Sequence, residues 1–188
     1  MATRRMEQTQ ESRRLILAAA VELFAEKGYR QTSFVDIADK AGISRGSIPW
    51  HFGNKLGLLE EVLDDQLQSV LAGSPPGAHP ADSLDQVMRF IRLPATRLFT
   101  TLLSEAVDVD SPIREHYARL HAALRQAARA RWPSEALPAG TDPEAFAVLL
   151  VGAVIGVHAQ WRVAPEAVDL QAVQAALRAL FPAALEQT

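Results

Sequence analysis

The feature that most constrains the fold of this 188-residue chain is an uncharged stretch near its C-terminal end. Residues 145–161 read AFAVLLVGAVIGVHAQW and contain no Lys, Arg, Asp or Glu. A membrane span needs about 20 apolar residues, and this stretch also includes His158 and Gln160. We therefore expect a buried helix and no membrane partner. A helix that is apolar all round must be covered all round.

The composition is that of a folded protein. Hydrophobic residues make up 48% of the chain, which favours one large or two small globular domains over disorder. The absence of cysteine excludes disulfide scaffolds and cysteine-based metal or redox sites, and it fits a reducing compartment. Residues 1–14, MATRRMEQTQESRR, are polar and charged, so they do not read as a secretory signal, and we expect a cytoplasmic protein.

Apolar residues recur at helical spacing through nearly the whole chain. The first such face has the spacing 3-1-3-1 and consists of Ile16, Ala19, Ala20, Leu23 and Phe24. Gly28 follows as the residue that ends this helix. No window shows the alternation that is typical of strands between turn signals. The pattern predicts an all-α fold of about nine helices.

Local capping signals divide the N-terminal third. Ser33 and Asp36 have the spacing of a capping box, which predicts the start of a short second helix that Gly42 ends. A third helix is expected to begin near Ser44, and Asn54 is expected to cap a fourth. After a Pro- and Gly-rich break at residues 73–80, further helices are predicted at residues 83–93, 94–107, 112–132 and 143–163 and after Asp169.

The spacing of Ala38, Gly42 and Ile48 fits a helix-turn-helix, in which the glycine takes a positive φ at the turn. The same spacing also fits an ordinary corner between two packed helices. Charge adds a weak argument for a polyanion partner at one end, because residues 1–55 hold nine Lys/Arg and six Asp/Glu while the rest of the chain is acidic.

Residues 16–63, ILAAAVELFAEKGYRQTSFVDIADKAGISRGSIPWHFGNKLGLLEEVL, carry a specific family pattern. The stretch from about Arg13 to Leu63 resembles the tetracycline-repressor (TetR) family of bacterial regulators. The positions that match the family pattern are Leu23, Phe24, Gly28, Tyr29, Thr32, Ser33, Ile37, Ala38, Ala41, Gly42, Ile43, Ser44, Gly46, Ile48, His51, Phe52, Lys55 and Leu58.

The resemblance implies an architecture and a function. It implies a three-helix, helix-turn-helix DNA-binding head at residues 10–55, a connecting helix at 56–72, and a larger ligand-binding and dimerisation domain at 82–188. The expected function is that of a repressor, released from a palindromic operator when a small molecule binds the C-terminal domain. The alternative is an all-α protein–protein interaction module without sequence-specific DNA binding.

The expected DNA contacts lie at the start of the recognition helix and around it. Arg45 is the best base reader, because its guanidinium can grip guanine O6 and N7, whereas Ser44 is as plausible a helix cap as a base contact. Hydroxyl groups and a cation at helix starts suit phosphates. The full predicted set is Thr32, Ser33, Ser44, Arg45, Gly46, Ser47, Trp50, His51 and Lys55.

Pro49 departs from the family pattern, which usually has tyrosine there. If Ser44 caps the helix, Pro49 is its fifth residue, so it lacks the N–H that would bond to the Arg45 carbonyl. The tyrosine hydroxyl is also lost, and the ring N–H groups of Trp50 and His51 can donate in its place. The alternative is that Pro49 breaks the helix and abolishes DNA binding.

The C-terminal helices favour a dimer. Gly152 and Gly156 form a small-residue face, and the last helix has apolar residues at 3-4-3 spacing. Two such helices from each of two subunits would form a four-helix interface, although both could instead lie in a monomer's core. The predicted interface residues are Leu149, Gly152, Val154, Gly156, Val173, Leu177 and Leu180.

The resemblance also implies an effector cavity among the middle helices, each of whose candidate residues also reads as plain core. These candidates are Phe90, Phe99, Leu103, Tyr117, His121, Leu124 and Trp161. We expect neither an enzyme nor a cofactor. His116 and His121 are five apart and off a common helix face, so no metal site is predicted. Glu105, Asp108 and Asp110 are expected to be solvated at a helix end.

Overall fold

A computed structural model describes residues 2–72 and 80–180. Within these residues there are nine α-helices, one short 3₁₀ helix (Ser134–Ala136) and no strand, so the all-α prediction is confirmed. The helices are α1 (Ala2–Lys27), α2 (Phe34–Ala41), α3 (Ser47–Phe52), α4 (Lys55–Ala72), α5 (Pro80–Arg92), α6 (Pro94–Ala106), α7 (Arg114–Arg131), α8 (Pro143–Val163) and α9 (Leu170–Leu180).

The chain forms two compact units. The described residues of Met1–Gln66 and Arg97–Tyr117 make up the first unit, and those of Leu67–Thr96 and Ala118–Thr188 make up the second. Both units are discontinuous in sequence, because the first also includes most of α6. The predicted domains at residues 10–55, 56–72 and 82–188 are functional divisions with other boundaries than these units, and they stay a prediction.

The core of the first unit is organised by α1. Ile16, Ala20 and Phe24 are fully buried, and α1 contacts both α2 and α3. Ile37 and Ile48 are also fully buried. Burying a large aliphatic side chain contributes about 1.5–3 kcal/mol, so this core fixes the positions of the two short helices.

The second unit is built around α5, which contacts α8 and α9. Its buried cluster consists of Val87, Met88, Ile91, Ala128, Trp132, Leu137, Phe146, Ala147, Leu150 and Leu170. His158 of α8 is buried as well, and its Nδ1 donates to the Ile91 carbonyl oxygen at 2.6 Å. This hydrogen bond joins α8 to α5.

Helix ends follow the local signals closely in most places. The Asp142 side chain caps α8, which runs over Pro143–Val163 as predicted. Asn54 accepts from the Gly57 N–H at 2.9 Å and so caps α4. Pro80 begins α5, while the other residues of the predicted break at 73–80 lie outside the described residues.

Candidate nucleic-acid interface

The capping box at the start of α2 forms as predicted. The Asp36 N–H donates to Ser33 Oγ at 3.2 Å, and the Ser33 N–H donates to Asp36 Oδ2 at 2.8 Å. The Ser33 hydroxyl also donates to Asp36 Oδ2 at 2.6 Å, and this bond together with that of the Ser33 N–H holds the pKa of the Asp36 carboxyl below its ordinary value. The box therefore fixes where α2 begins and keeps Ser33 at the surface.

Gly42 makes the turn between α2 and the next helix. It has φ 67°, in the left-handed region, and the Ile43 N–H reaches back to the Ala38 carbonyl at 3.1 Å. Ala38 and Ile48 are both buried, as a helix-turn-helix requires.

The third helix begins three residues later than predicted. Tight-turn bonds join the Ser47 N–H to the Ser44 carbonyl at 3.1 Å and the Ile48 N–H to the Arg45 carbonyl at 3.3 Å, so the cap is Gly46. The prediction that α3 starts near Ser44 is wrong, because this turn comes first. The Ser44 and Ser47 hydroxyls lie 2.8 Å apart.

This later start changes the meaning of Pro49. It is the third residue of α3, where the backbone N–H of an ordinary residue would have no α-helical partner. The predicted fifth position, with a lost hydrogen bond, is therefore wrong. The Pro49 carbonyl accepts from the Gly53 N–H at 2.8 Å, so the helix closes normally behind the proline.

The exposed side of this segment consists of Arg45, Gly46, Pro49 and Trp50, which we call the 45–50 face. Trp50 is 71% exposed. Arg45 lies in the tight turn that leads into α3 and Gly46 caps the helix, so both come within about one turn of Pro49 and Trp50. The face thus combines one cation, an open position and two apolar rings.

His51 lies behind this face and is half-buried. Its ring centroid is 4.6 Å from that of Trp50, in an edge-on arrangement. Burial lowers the pKa of His51, and the nearby Arg13 cation lowers it further. The imidazole is therefore mainly neutral near pH 7 and offers a hydrogen bond rather than a charge.

Besides Ser33, which bonds to Asp36, two other predicted phosphate contacts have partners within the structure. Thr32 is buried, and its hydroxyl donates to the Gly28 carbonyl at 2.7 Å. Lys55 Nζ donates to the carbonyls of Tyr29 at 2.9 Å and Thr32 at 3.0 Å, and it lies 4.3 Å from the Tyr29 ring centroid. Burial lowers the pKa of Lys55. Both side chains organise the turn between α1 and α2.

Sequence reasoning missed a carboxylate that holds the same turn. Glu105 Oε2 accepts from the Arg30 N–H at 2.9 Å, and Asp108 pairs with the Arg30 guanidinium at 3.0 Å. The expectation that Glu105 is solvated is therefore wrong, whereas Asp108 is exposed as expected and also pairs with Arg30. No local signal could reveal these bonds, because Glu105 is 75 residues from Arg30.

Comparison with known proteins gives this head its context. Residues 16–62 match the family of bacterial regulatory proteins called the tetR family. The transcriptional regulator TtgR of Pseudomonas putida is 30% identical over 90% of this chain and 89% of its own length. The chain belongs to the TetR family. It is a ligand-responsive, DNA-binding transcriptional regulator, and the protein-interaction alternative is not favoured.

Solved structures agree with this assignment. Salmonella enterica GusR superposes with a TM-score of 0.74 at 23% identity, over 91% of this chain and 95% of that one, which shows the fold. NalD of Pseudomonas aeruginosa, described as the secondary repressor of the MexAB-OprM multidrug efflux pump, gives 0.65 at 26% identity, over 93% and 95%. TetR-family regulators bind operators and small-molecule effectors and act as dimers.

The predicted effector residues of this TetR-family chain are divided between the two units. Phe99, Leu103 and Tyr117 belong to the first, and the other four belong to the second. The Tyr117 hydroxyl donates to the Phe99 carbonyl, and burial raises the pKa of Tyr117. Burial, together with Arg125, lowers the pKa of His121. Their shared role as a pocket lining stays a prediction.

The second unit has an open cleft of about 680 Å³ between the end of α7 and the start of α8. Glu144 bridges two arginines there, with Oε1 3.3 Å from Arg125 Nε and Oε2 3.1 Å from an Arg129 terminal nitrogen. None of the predicted effector residues lines this cleft. Within the described residues, no group of three His, Cys, Asp or Glu could hold a metal ion.

Helix α8 has a buried face and an exposed face, and the predicted dimer residues are compared with both. Phe146, Ala147, Leu150 and His158 are buried within the unit, whereas Leu149 is 71% exposed and Gly152 is also exposed. Val154, Val173 and Leu177 pack partly against the core, and Leu180 is exposed. The expectation that α8 is covered on all sides is therefore wrong for the single chain.

The composition of α8 alone would permit a membrane span. Among the described residues, α8 is the one helix that is long and apolar enough to cross a membrane. Its most apolar 18-residue window is only 22% buried. The exposed side of α8 thus needs an explanation, which a second copy of the chain can supply.

Proposed function

We propose that this protein acts in the cytoplasm as a homodimeric repressor that binds a palindromic operator and leaves it when an effector binds. The observation that carries the proposal is the 45–50 face. It presents a cation in the turn before α3 and two rings on α3 itself, whose inner side, Ile48 and Phe52, is buried. A recognition helix reads base edges in the major groove with such an exposed side.

The proposed contacts follow from exposure. Arg45 grips a guanine, Ser33 and the Ser44–Ser47 hydroxyl pair lie near phosphates, and His51 donates from behind the face. Thr32 and Lys55 act indirectly in this proposal, since their polar groups are bonded to the turn between α1 and α2. We assign no catalytic role to any residue.

The proposed dimer uses the outer side of α8 together with α9. A second copy would cover the exposed apolar residues, and Gly152 and Gly156 would allow close approach, since an added Cβ meets nothing within 4 Å at either. Two-fold symmetry then presents two heads to half-sites one helical turn, about 34–36 Å, apart. This accounts for the exposed side of α8 without a membrane.

The proposed switch is a shift between two populations of the dimer. An effector that binds the C-terminal domain, residues 82–188, favours a head spacing that no longer fits the two half-sites. The relative NalD is described as a repressor of a multidrug efflux pump. Transporter genes near this gene are therefore the first regulated genes to test.

The direct test is a fluorescence-anisotropy titration of the full chain against its own upstream DNA at moderate salt. Arg45→Ala should weaken operator binding about 10- to 100-fold and relax base preference at one position. Arg92→Ala removes an exposed positive charge from the end of α5 and should leave the preference intact. Equal binding of operator and random DNA by the unmodified chain would contradict the proposal.

A further inference from the structure

The 45–50 face has an unusual chemical character for a surface that meets DNA. Beside Arg45 it offers a proline, which has no backbone N–H, and an indole that is 71% exposed. Gly46 contributes no side chain to this face, and a Cβ added there would meet nothing within 4 Å. Half of the face is therefore apolar, and the position of Gly46 beside it is open.

The 5-methyl group of thymine is the one apolar substituent that the bases present in the major groove. Adenine, guanine and cytosine present hydrogen-bonding groups there, whereas thymine also presents its 5-methyl group. A pyrrolidine ring satisfies none of the polar groups, so placing Pro49 against them would leave them unpaired at a cost. Placing it against a methyl group removes apolar surface from water on both sides.

We propose that Pro49 and Trp50 form a recess that reads a thymine 5-methyl group in each operator half-site. The inference rests on the proposed DNA-binding function and adds a base preference to it. Pro49 supplies one wall of the recess, Trp50 supplies the other, and the missing side chain of Gly46 admits the methyl group.

The position of Arg45 adds a second constraint. The Arg45 carbonyl accepts the Ile48 N–H at 3.3 Å in a tight turn, where Cα atoms three residues apart lie within about 7 Å. Successive bases on one strand are about 3.4 Å apart. The guanine gripped by Arg45 and the thymine at the recess should therefore lie within about two base pairs of each other.

A uracil scan tests this proposal. The operator is prepared with each thymine replaced in turn by deoxyuridine, which removes only the methyl group, and binding of the full chain is measured by anisotropy. Loss of one buried methyl group corresponds to about fourfold weaker binding per half-site. We expect that penalty at one thymine in each half-site. This thymine should lie close to the guanine whose replacement no longer weakens binding in the Arg45→Ala variant.

A double-mutant cycle separates direct contact from an effect of the methyl group on DNA shape. In Pro49→Ala and Trp50→Ala, the ratio of binding to the thymine operator over binding to the uracil operator should fall towards one. The control Val109→Ala, at an 82% exposed site outside the helices, should keep the ratio of the unmodified chain. Circular dichroism confirms that each variant is folded. Pro49 is exposed in the first turn of α3, where alanine fits a helix.

Two results would overturn the inference while leaving the regulator intact. One is sequence-specific binding with no uracil-sensitive position. The other is a uracil penalty that stays the same in both recess variants. Absence of any specific binding by the unmodified chain would instead overturn the proposed function itself, and this inference with it.

Discussion

At Gly46, a substitution is expected to change DNA binding much more than the stability of the fold. Its φ of −65° and ψ of −20° are ordinary helical values, and an added Cβ has open space around it. We expect Gly46→Ala to change the free energy of unfolding by less than about 1 kcal/mol. Operator affinity should fall at least about tenfold, because the methyl group would stand between backbone and DNA.

Thermal unfolding and anisotropy on the same Gly46→Ala sample check both halves of this prediction. Unchanged operator affinity would show that the backbone at Gly46 does not approach the DNA. That result would also show that the missing side chain of Gly46 is not needed for the proposed recess.

Glu105 is a second residue whose effect can be measured. Its carboxylate accepts the Arg30 N–H at 2.9 Å, so Glu105→Ala leaves a donor of the turn between α1 and α2 without its partner. We expect a loss of about 1–2 kcal/mol in the free energy of unfolding, measured by urea titration. The matched control is Glu166→Ala, at an exposed site, and equal stabilities of the two variants would contradict the assigned role.

At the scale of elements, the junction between α3 and α4 depends on a close approach. A Cβ added at Gly57 would lie 2.4 Å from the Phe52 carbonyl oxygen, which is backbone and cannot rotate away. Gly57→Ala should therefore displace the start of α4 and destabilise the chain by about 1–3 kcal/mol. Denaturant unfolding checks this against Gly46→Ala, where the same change meets nothing. A Gly57→Ala variant as stable as Gly46→Ala would contradict it.

The helix boundaries show what a sequence can reveal at this scale. Asp142 caps α8 and Ser33 caps α2 as predicted, because a cap is made by residues within three positions of each other. The start of α3 was misplaced because Ser44 has the composition of a cap while its backbone makes a tight turn instead. Serine serves both structures, so the pattern alone does not choose between them.

The candidate site shows the opposite limit. Gly46 was predicted from a family position and Arg45 and Trp50 from their chemistry beside it, and all three are exposed in the structure. The partners of Lys55 and Glu105 were not predicted, since each bonds to a turn more than twenty residues away. Such contacts depend on how helices pack, and no periodicity or motif in the chain encodes them.

At the scale of the whole molecule, the exposed side of α8 predicts assembly. Leu149 is 71% exposed, so Leu149→Glu should leave the single chain folded while placing a charge in the proposed interface. Burying an unpaired charge is costly. We expect a dimer for the unmodified chain and a monomer for the variant by light scattering at micromolar concentration, with operator affinity reduced at least about 100-fold.

The control for this experiment is Val109→Glu, which adds the same charge at an 82% exposed site. It should remain dimeric and bind the operator like the unmodified chain. A dimeric Leu149→Glu variant would show that α8 is covered by something other than a second copy.

The apolar outer side of α8 also has a consequence for how the cell sets repression. If dimerisation is what covers that side, the amount of binding-competent protein rises with the square of the chain's concentration while most chains are single. A small fall in synthesis or a modest rise in proteolysis would then release the operator without any effector. The number of copies per cell would act as a second input to the switch, through mass action alone.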